Sequence, residues 1–300
     1  MRENLITAVI TLVSKNKKYY LLHFELIINI LQKYDITKYR TDKLSEFVKD
    51  FYFKVDKNKL LDIKIYFKKK FTVGSDICVQ ETIFRKKKII ACDMDKTIVS
   101  SESIDLIGKK YLKSTKISKL TKDAMSGKIN FNNSIIQRTK FLKGMSINEI
   151  EEVAQHIKIT KYADSVIKTL NKFGCHTMLI SGGYEILANL IGKKIGFKEI
   201  ISNKLIIKDN VLTGNLKGTI INGKGKLNHL KKRLKFYRFN KQQTLAVGDG
   251  HNDIEMIRFA SLGVSWKGFP EVNAAADALA NNNFKSILYF QGYSDDEIIS

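Results

Sequence analysis

Three short apolar-rich runs stand out from the mixed pattern of this chain, and each ends in a burst of small or acidic residues. Ile89-Ile90-Ala91-Cys92 runs into Asp93-Met94-Asp95-Lys96-Thr97, Cys175-His176-Thr177-Met178-Leu179-Ile180 into Ser181-Gly182-Gly183, and Thr244-Leu245-Ala246-Val247 into Gly248-Asp249-Gly250-His251-Asn252-Asp253. Runs of this length bounded by turn residues predict buried strands. Helices are expected from about Tyr184 to Lys194 and, after the third run, through Arg258. Ligands of an open parallel sheet gather outside the carboxyl ends of its strands, so the three polar bursts would meet in one crevice.

Between the first two runs the period changes. Glu102 to Lys110, Ser118 to Met125, Asn133 to Leu142, Ile147 to His156 and Asp164 to Phe173 repeat apolar residues at three and four, which predicts a helical insertion over 98–174 that could close as a lid. Lys204 to Lys208 and Val211 to Leu216 flank Asp209-Asn210 as a hairpin would. The first 85 residues predict a strand at Leu5 to Val13, an amphipathic helix at Tyr19 to Tyr34 and β-rich stretches at Phe47 to Val55 and Leu60 to Phe67. They contain no cluster of chemistry-bearing side chains, and His23 reads as a packing residue.

Composition narrows the class. The 300 residues are 44% hydrophobic, normal for a folded domain with an attached smaller one, and no apolar run nears the roughly 18 residues of a membrane span. Leu5 to Val13 follows Arg2 but lacks a small-residue cleavage site and runs into Ser14-Lys15-Asn16-Lys17-Lys18, so a strand is preferred to a signal peptide. Cys78, Cys92 and Cys175 are scattered, which predicts a reducing cytoplasm and neither disulfides nor a zinc site. The net charge of +22 is spread along the chain, so it is read as a general composition bias, and nucleic acid is not an expected partner. Arg85-Lys86-Lys87-Lys88 reads as a solvated linker at a domain boundary.

Two carboxylates one residue apart at the end of a buried strand cost folding energy unless a cation or a reaction uses them. Asp93 and Asp95 therefore suggest metal-assisted phosphoryl transfer, and Ser181-Gly182-Gly183 has the composition of a phosphate-holding turn. Taken singly, Asp249-Gly250 would be a turn, Ser181 a helix cap, Glu102 an acid at a helix start and Arg138 a surface residue. No GxxxxGK[S/T] loop is present, since Gly225 follows Lys224 in the one partial match, which argues against an ATP-dependent kinase.

In order and spacing, Asp93-x-Asp95-x-Thr97, Ser181-Gly182-Gly183, a lysine after the hairpin and Gly248-Asp249-Gly250-x-Asn252-Asp253 resemble the four motifs of the haloacid-dehalogenase-like phosphatases. Asp93 to Asp105, with Glu102, and Phe131 to Gly144, with Arg138, are similar to the phosphoserine phosphatase family in particular. The resemblance covers about residues 88–290. It implies an α/β fold: a Rossmann-like parallel sheet (86–97 and 175–300) with a helical cap insertion (98–174), plus a small N-terminal α+β domain (1–85). Residues 1–85 loosely resemble the extra domain of some bacterial members, which implies an ACT-like sensing role.

The resemblance also implies roles. Asp93 would attack phosphorus and become an aspartyl phosphate, and Asp95 would protonate the departing serine oxygen and later take a proton from water. Mg²⁺ would be held by the Asp93 carboxylate, the Asp95 backbone carbonyl and Asp249. Ser181 and the Gly182 amide would bind phosphoryl oxygens, with Lys226 balancing charge and Lys224 its rival. Asn252 and Asp253 would hold the loop, metal waters or Lys226, with Thr97 in support. Glu102 would meet the ammonium and Arg138 the carboxylate of phosphoserine, in the last step of serine biosynthesis. Lys96 departs from the Ser usual in the family and would either favour ionised Asp95, weakening it as the acid, or add attraction for phosphate. Ser103 and Tyr184 are size-conserving departures. The alternatives are a related phosphatase for another small phosphomonoester such as phosphohomoserine, and a basic nucleic-acid-binding or scaffold protein whose site Lys96 has disabled.

Overall fold

Two β-sheets divide the chain between them. The computed structural model describes residues 5–69, 73–112 and 115–300. In the first sheet β1 (Ile6–Ser14) is followed by α1 (Lys17–Lys33), β2 (Tyr39–Ser45), β3 (Val48–Val55), α2 (Lys57–Lys69) and β4 (Ser75–Glu81). The strands lie in the order β2-β3-β1-β4 with every pairing antiparallel. Residues Ala8 to Val13 of the central strand are buried throughout. The Asn16 side chain starts α1 by accepting the Tyr19 amide at 3.2 Å. Ile27 and Leu31 of α1 and Leu60 and Ile63 of α2 then cover one face of the sheet, against Ile10, Leu12 and Phe51.

The stretch Leu60 to Phe67, expected as β-rich, lies inside α2. Leu60, Ile63 and Phe67 are buried while Leu61 and Ile65 are exposed, a three-and-four spacing that only a helix gives. The β-branched and aromatic residues favour a strand locally, and packing on the sheet overrides that preference.

The second sheet contains β5 (Ile89–Cys92), β6 (His176–Tyr184), β7 (Glu199–Lys208), β8 (Val211–Lys217), β9 (Thr244–Gly248), β10 (Leu262–Trp266) and β11 (Ala278–Ala280), in the order β11-β10-β9-β5-β6-β7-β8. All neighbours are parallel except β7 and β8. That pair turns at Asp209 and Asn210, whose φ values of 50° and 61° suit a tight hairpin. The chain leaves β5 for β6 on one side and reaches β9 on the other, so the crevice opens at the carboxyl end of β5.

Helices α3 (Ser103–Ile107), α4 (Thr115–Met125), α5 (Phe131–Lys140), α6 (Ile147–His156) and α7 (Ala163–Lys172) lie between β5 and β6. Ser146 and Glu149 form a reciprocal cap at the start of α6. α4 packs on α5, which reaches β8, and the Gly144 amide donates to the Leu212 carbonyl at 2.9 Å, joining this layer to the hairpin. The remaining helices are α8 (Glu185–Ile195), α9 (Gly223–Tyr237), α10 (Ile254–Phe259), α11 (Pro270–Ala275) and α12 (Ser286–Tyr289). α7 packs on β6, α8 and α12, among the layers of the large sheet. Among the described residues no helix is long and apolar enough to cross a membrane.

The basic run at 85–88 is not a solvated linker. Arg85 is buried, with Nη1 and Nη2 donating to the two Asp50 carboxylate oxygens at 2.7 and 2.8 Å and Nε donating to the Phe290 carbonyl at 3.0 Å. Lys87 is buried too, donating to the Gln242 carbonyl at 3.0 Å. Charge alone suggests exposure here, but a guanidinium with a buried carboxylate and carbonyls to satisfy it is stable inside. Asp76 makes a parallel tie by accepting the Ser286 hydroxyl at 2.7 Å and the Asn281 amide at 2.9 Å.

Candidate active site

β5 delivers Asp93 to the crevice, where its amide is still held by the Val247 carbonyl at 2.9 Å. The next residues form one wide turn, Met94–Ile98, in which Asp95 is extended (φ −67°, ψ 134°) and Lys96 left-handed (φ 54°). This change of direction sends the two carboxylates to different partners. Asp95 accepts the Ser103 amide at 2.9 Å and its hydroxyl at 3.2 Å, whereas Asp93 accepts from the Lys226 ammonium.

Lys226 lies in the first turn of α9, which starts where the Asn222 side chain accepts the Gly225 amide at 2.9 Å. The lysine is wholly buried and also donates to Asp253 at 2.7 Å. Burial alone would lower its ammonium, but the Asp253 and Asp93 charges outweigh it and hold it above the ordinary lysine value. The rival Lys224 is exposed.

Asp93, Asp249 and Asp253 are buried and each presents a carboxylate oxygen within 4.8 Å of the others. Burial raises Asp93 well above the usual carboxylate range and Asp253 adds to it, while Lys226 opposes. Asp249 is raised well above that range by burial and by Asp93 and Asp253. Three carboxylates against one ammonium leave a dry site short of positive charge. Its donors are all oxygen, so the residues fit a hard divalent cation. Asp253 joins this cluster, while the Asp95 carboxylate turns away to Ser103.

A small cavity beside the cluster is lined by Asp93, Asp95, Glu102, Arg138, Gly182 and Asn252. Met125 of α4 and Ile135 and Arg138 of α5 wall the cavity on the side of the helical layer. The Ser181 hydroxyl accepts the Gly183 amide at 2.8 Å, and the Gly182 carbonyl accepts Asn203 Nδ2 at 2.9 Å. A Cβ at Gly182 would come within 2.6 Å of the Phe131 ring, so a larger residue there would have to push that ring aside.

Arg138 is buried rather than on the surface. Its Nε donates to the Ser134 carbonyl at 3.4 Å and Nη1 to the Thr121 hydroxyl at 3.3 Å. Among the described residues, Arg138 Nη2 and Asn252 Oδ1 are buried with no hydrogen-bond partner. Unpaired buried polar atoms are costly unless something occasional satisfies them, and both residues line the cavity.

Lys96 faces Glu102, with Nζ 3.1 Å from Oε1. Its ion partner is thus Glu102 rather than Asp95. Burial first, and then the Glu102 charge, push the Asp95 carboxyl up to about 7, with the Ser103 hydrogen bonds opposing. Ser103, Thr121 and Asn203 were not anticipated in these positions. Each acts through a contact between distant segments or around a turn, for which residue type alone carries no signal.

The family model of the haloacid dehalogenase-like hydrolases matches residues 90–258. The phosphoserine phosphatase of Methanocaldococcus jannaschii is 35% identical over 207 residues, 69% of this chain and 98% of that protein. A solved structure described as a phospho-aspartyl intermediate analogue of phosphoserine phosphatase has a TM-score of 0.64 at 35% identity, over 68% of this chain and 99% of that one. A hydrolase of the same superfamily from Salmonella enterica serovar Typhi shares the fold at a TM-score of 0.83 and 23% identity, covering 96% of this chain and 99% of its own.

Proposed function

Since the chain belongs to the haloacid dehalogenase-like hydrolases, we propose that it is a phosphoserine phosphatase, converting O-phosphoserine and water to serine and inorganic phosphate. The observation that carries the substrate is Arg138, which lines the cavity with Asp93 and Asp95 and whose buried guanidinium has an unpaired nitrogen. A guanidinium fixed in this way takes a carboxylate, which phosphoserine bears beside its ester.

The residues divide the work. An Asp93 oxygen attacks phosphorus as the phosphorus–oxygen bond to serine breaks, and Asp95 gives its proton to the leaving oxygen. Water then attacks the aspartyl phosphate and Asp95, now carboxylate, takes the water's proton, so phosphate leaves and both side chains are restored. Lys226 favours the ionised Asp93 that attack requires. The Gly182 amide and Ser181 hold phosphoryl oxygens, and Asn252 secures the loop. Mg²⁺ would be held by Asp93, Asp249 and the Asp95 backbone carbonyl with Asp253 close by, and would supply positive charge for the phosphoryl oxygens.

Lys96 is engaged with Glu102 and leaves Asp95 free to act, which favours an active enzyme over a disabled site. We place it in the cytoplasm, in keeping with three buried free thiols. Phosphate release from phosphoserine, phosphohomoserine and p-nitrophenyl phosphate tests the reading. The highest kcat/KM is expected for phosphoserine, and a preference for either other ester would replace the substrate.

A further inference from the structure

Glu102 is almost wholly buried and lines the cavity, yet its carboxylate already has a cation from within the chain, Lys96 Nζ at 3.1 Å. The two ends of the pair differ in freedom. The Lys96 side chain is 38% exposed and Glu102 only 5%, so the lysine can leave while the carboxylate stays. While paired to Glu102 the lysine's ammonium also lies 5.8 Å from the centre of the Phe269 ring, within cation–π range, a contact that does not depend on the carboxylate. The backbone at Lys96 is left-handed, φ 54°. Across the cavity Arg138 has no such occupant.

Resting on the phosphoserine phosphatase reading, we infer that Lys96 is a specificity-determining residue: it occupies Glu102 as an internal stand-in for the substrate ammonium and is displaced when that ammonium binds. A ligand that must displace an occupant binds more weakly by the fraction of molecules in which the group is free. The amino group of the substrate is therefore partly discounted, while its carboxylate, read by Arg138, counts in full. Discrimination between phosphoserine and the same ester without its amino group is held low by Lys96.

The test compares kcat/KM for O-phosphoserine and its desamino analogue, taken as a ratio so that any effect on chemistry common to both esters cancels. Lys96→Ser is expected to raise the ratio about three- to tenfold, the range open to a half-exposed ion pair. Lys96→Arg keeps the cation and is expected to retain the low ratio. In a Glu102→Gln background Lys96→Ser is expected to leave the ratio where it was, which a merely structural role of Lys96 would not produce. An unchanged ratio in Lys96→Ser, with phosphoserine still turned over, would overturn the inference alone. Failure of the unsubstituted enzyme to turn over phosphoserine would overturn the functional reading and this inference with it.

Discussion

Lys226 and Asp253 are both wholly buried and lie 2.7 Å apart, with the same ammonium also against Asp93. One buried ammonium thus serves two acids of a cluster of three, the third being Asp249. The shortage of positive charge falls where a phosphoryl group would enter, which joins the stability of the site to its chemistry.

Lys226→Met removes the cation and leaves the acids facing one another. Loss of about 3–5 kcal/mol of unfolding free energy is expected in urea titrations, with kcat reduced about 10²- to 10³-fold. Adding Asp253→Asn should recover part of the stability and none of the rate.

Arg138→Ala removes the group proposed to read the substrate carboxylate. KM for phosphoserine is expected to rise about 10- to 100-fold, the worth of a charge-assisted pair. KM for p-nitrophenyl phosphate, which has no carboxylate, should change far less. Steady-state kinetics with both esters make the comparison.

The pH dependence follows from Asp95. Burial and then Glu102 raise it to about 7, while hydrogen bonds from Ser103 favour its carboxylate and pull it down. As the leaving-group acid it works while protonated, so its contribution to kcat/KM is present below that value and is lost as pH rises through it. Ser103→Ala removes a donor to the carboxylate, raises the Asp95 pKa further and moves the falling limb to higher pH. A limb that stays in place would assign it to another group.

Arg85→Met leaves Asp50 buried without its partner. A loss of about 3–5 kcal/mol is expected by denaturant unfolding, while kcat per folded molecule remains as before because Arg85 lies outside the catalytic cavity. Equilibrium unfolding and active-fraction kinetics separate the two.

Much of this was legible in the sequence because strand ends announce themselves. The runs before Asp93, Ser181 and Asp249 are short, apolar and stopped by turn residues, and a parallel sheet brings such ends together whatever their separation in the chain. Periodicity also places the helices between β5 and β6. Leu60 to Phe67 was misread because local preference and tertiary packing disagree there. Arg85 looked solvated because its neighbours are lysines, while its partners Asp50 and Phe290 are distant in sequence. The Lys96–Glu102 pair forms beside a turn in which Lys96 is left-handed, a backbone choice that residue type does not dictate.

The most direct test is rapid acid quench of the enzyme with phosphoserine labelled in its phosphate, followed by counting label bound to protein. The account predicts transient labelling of the unsubstituted chain on Asp93 and none in Asp93→Asn, which should also lack turnover. Label on another residue, or turnover of phosphoserine by Asp93→Asn, would contradict it.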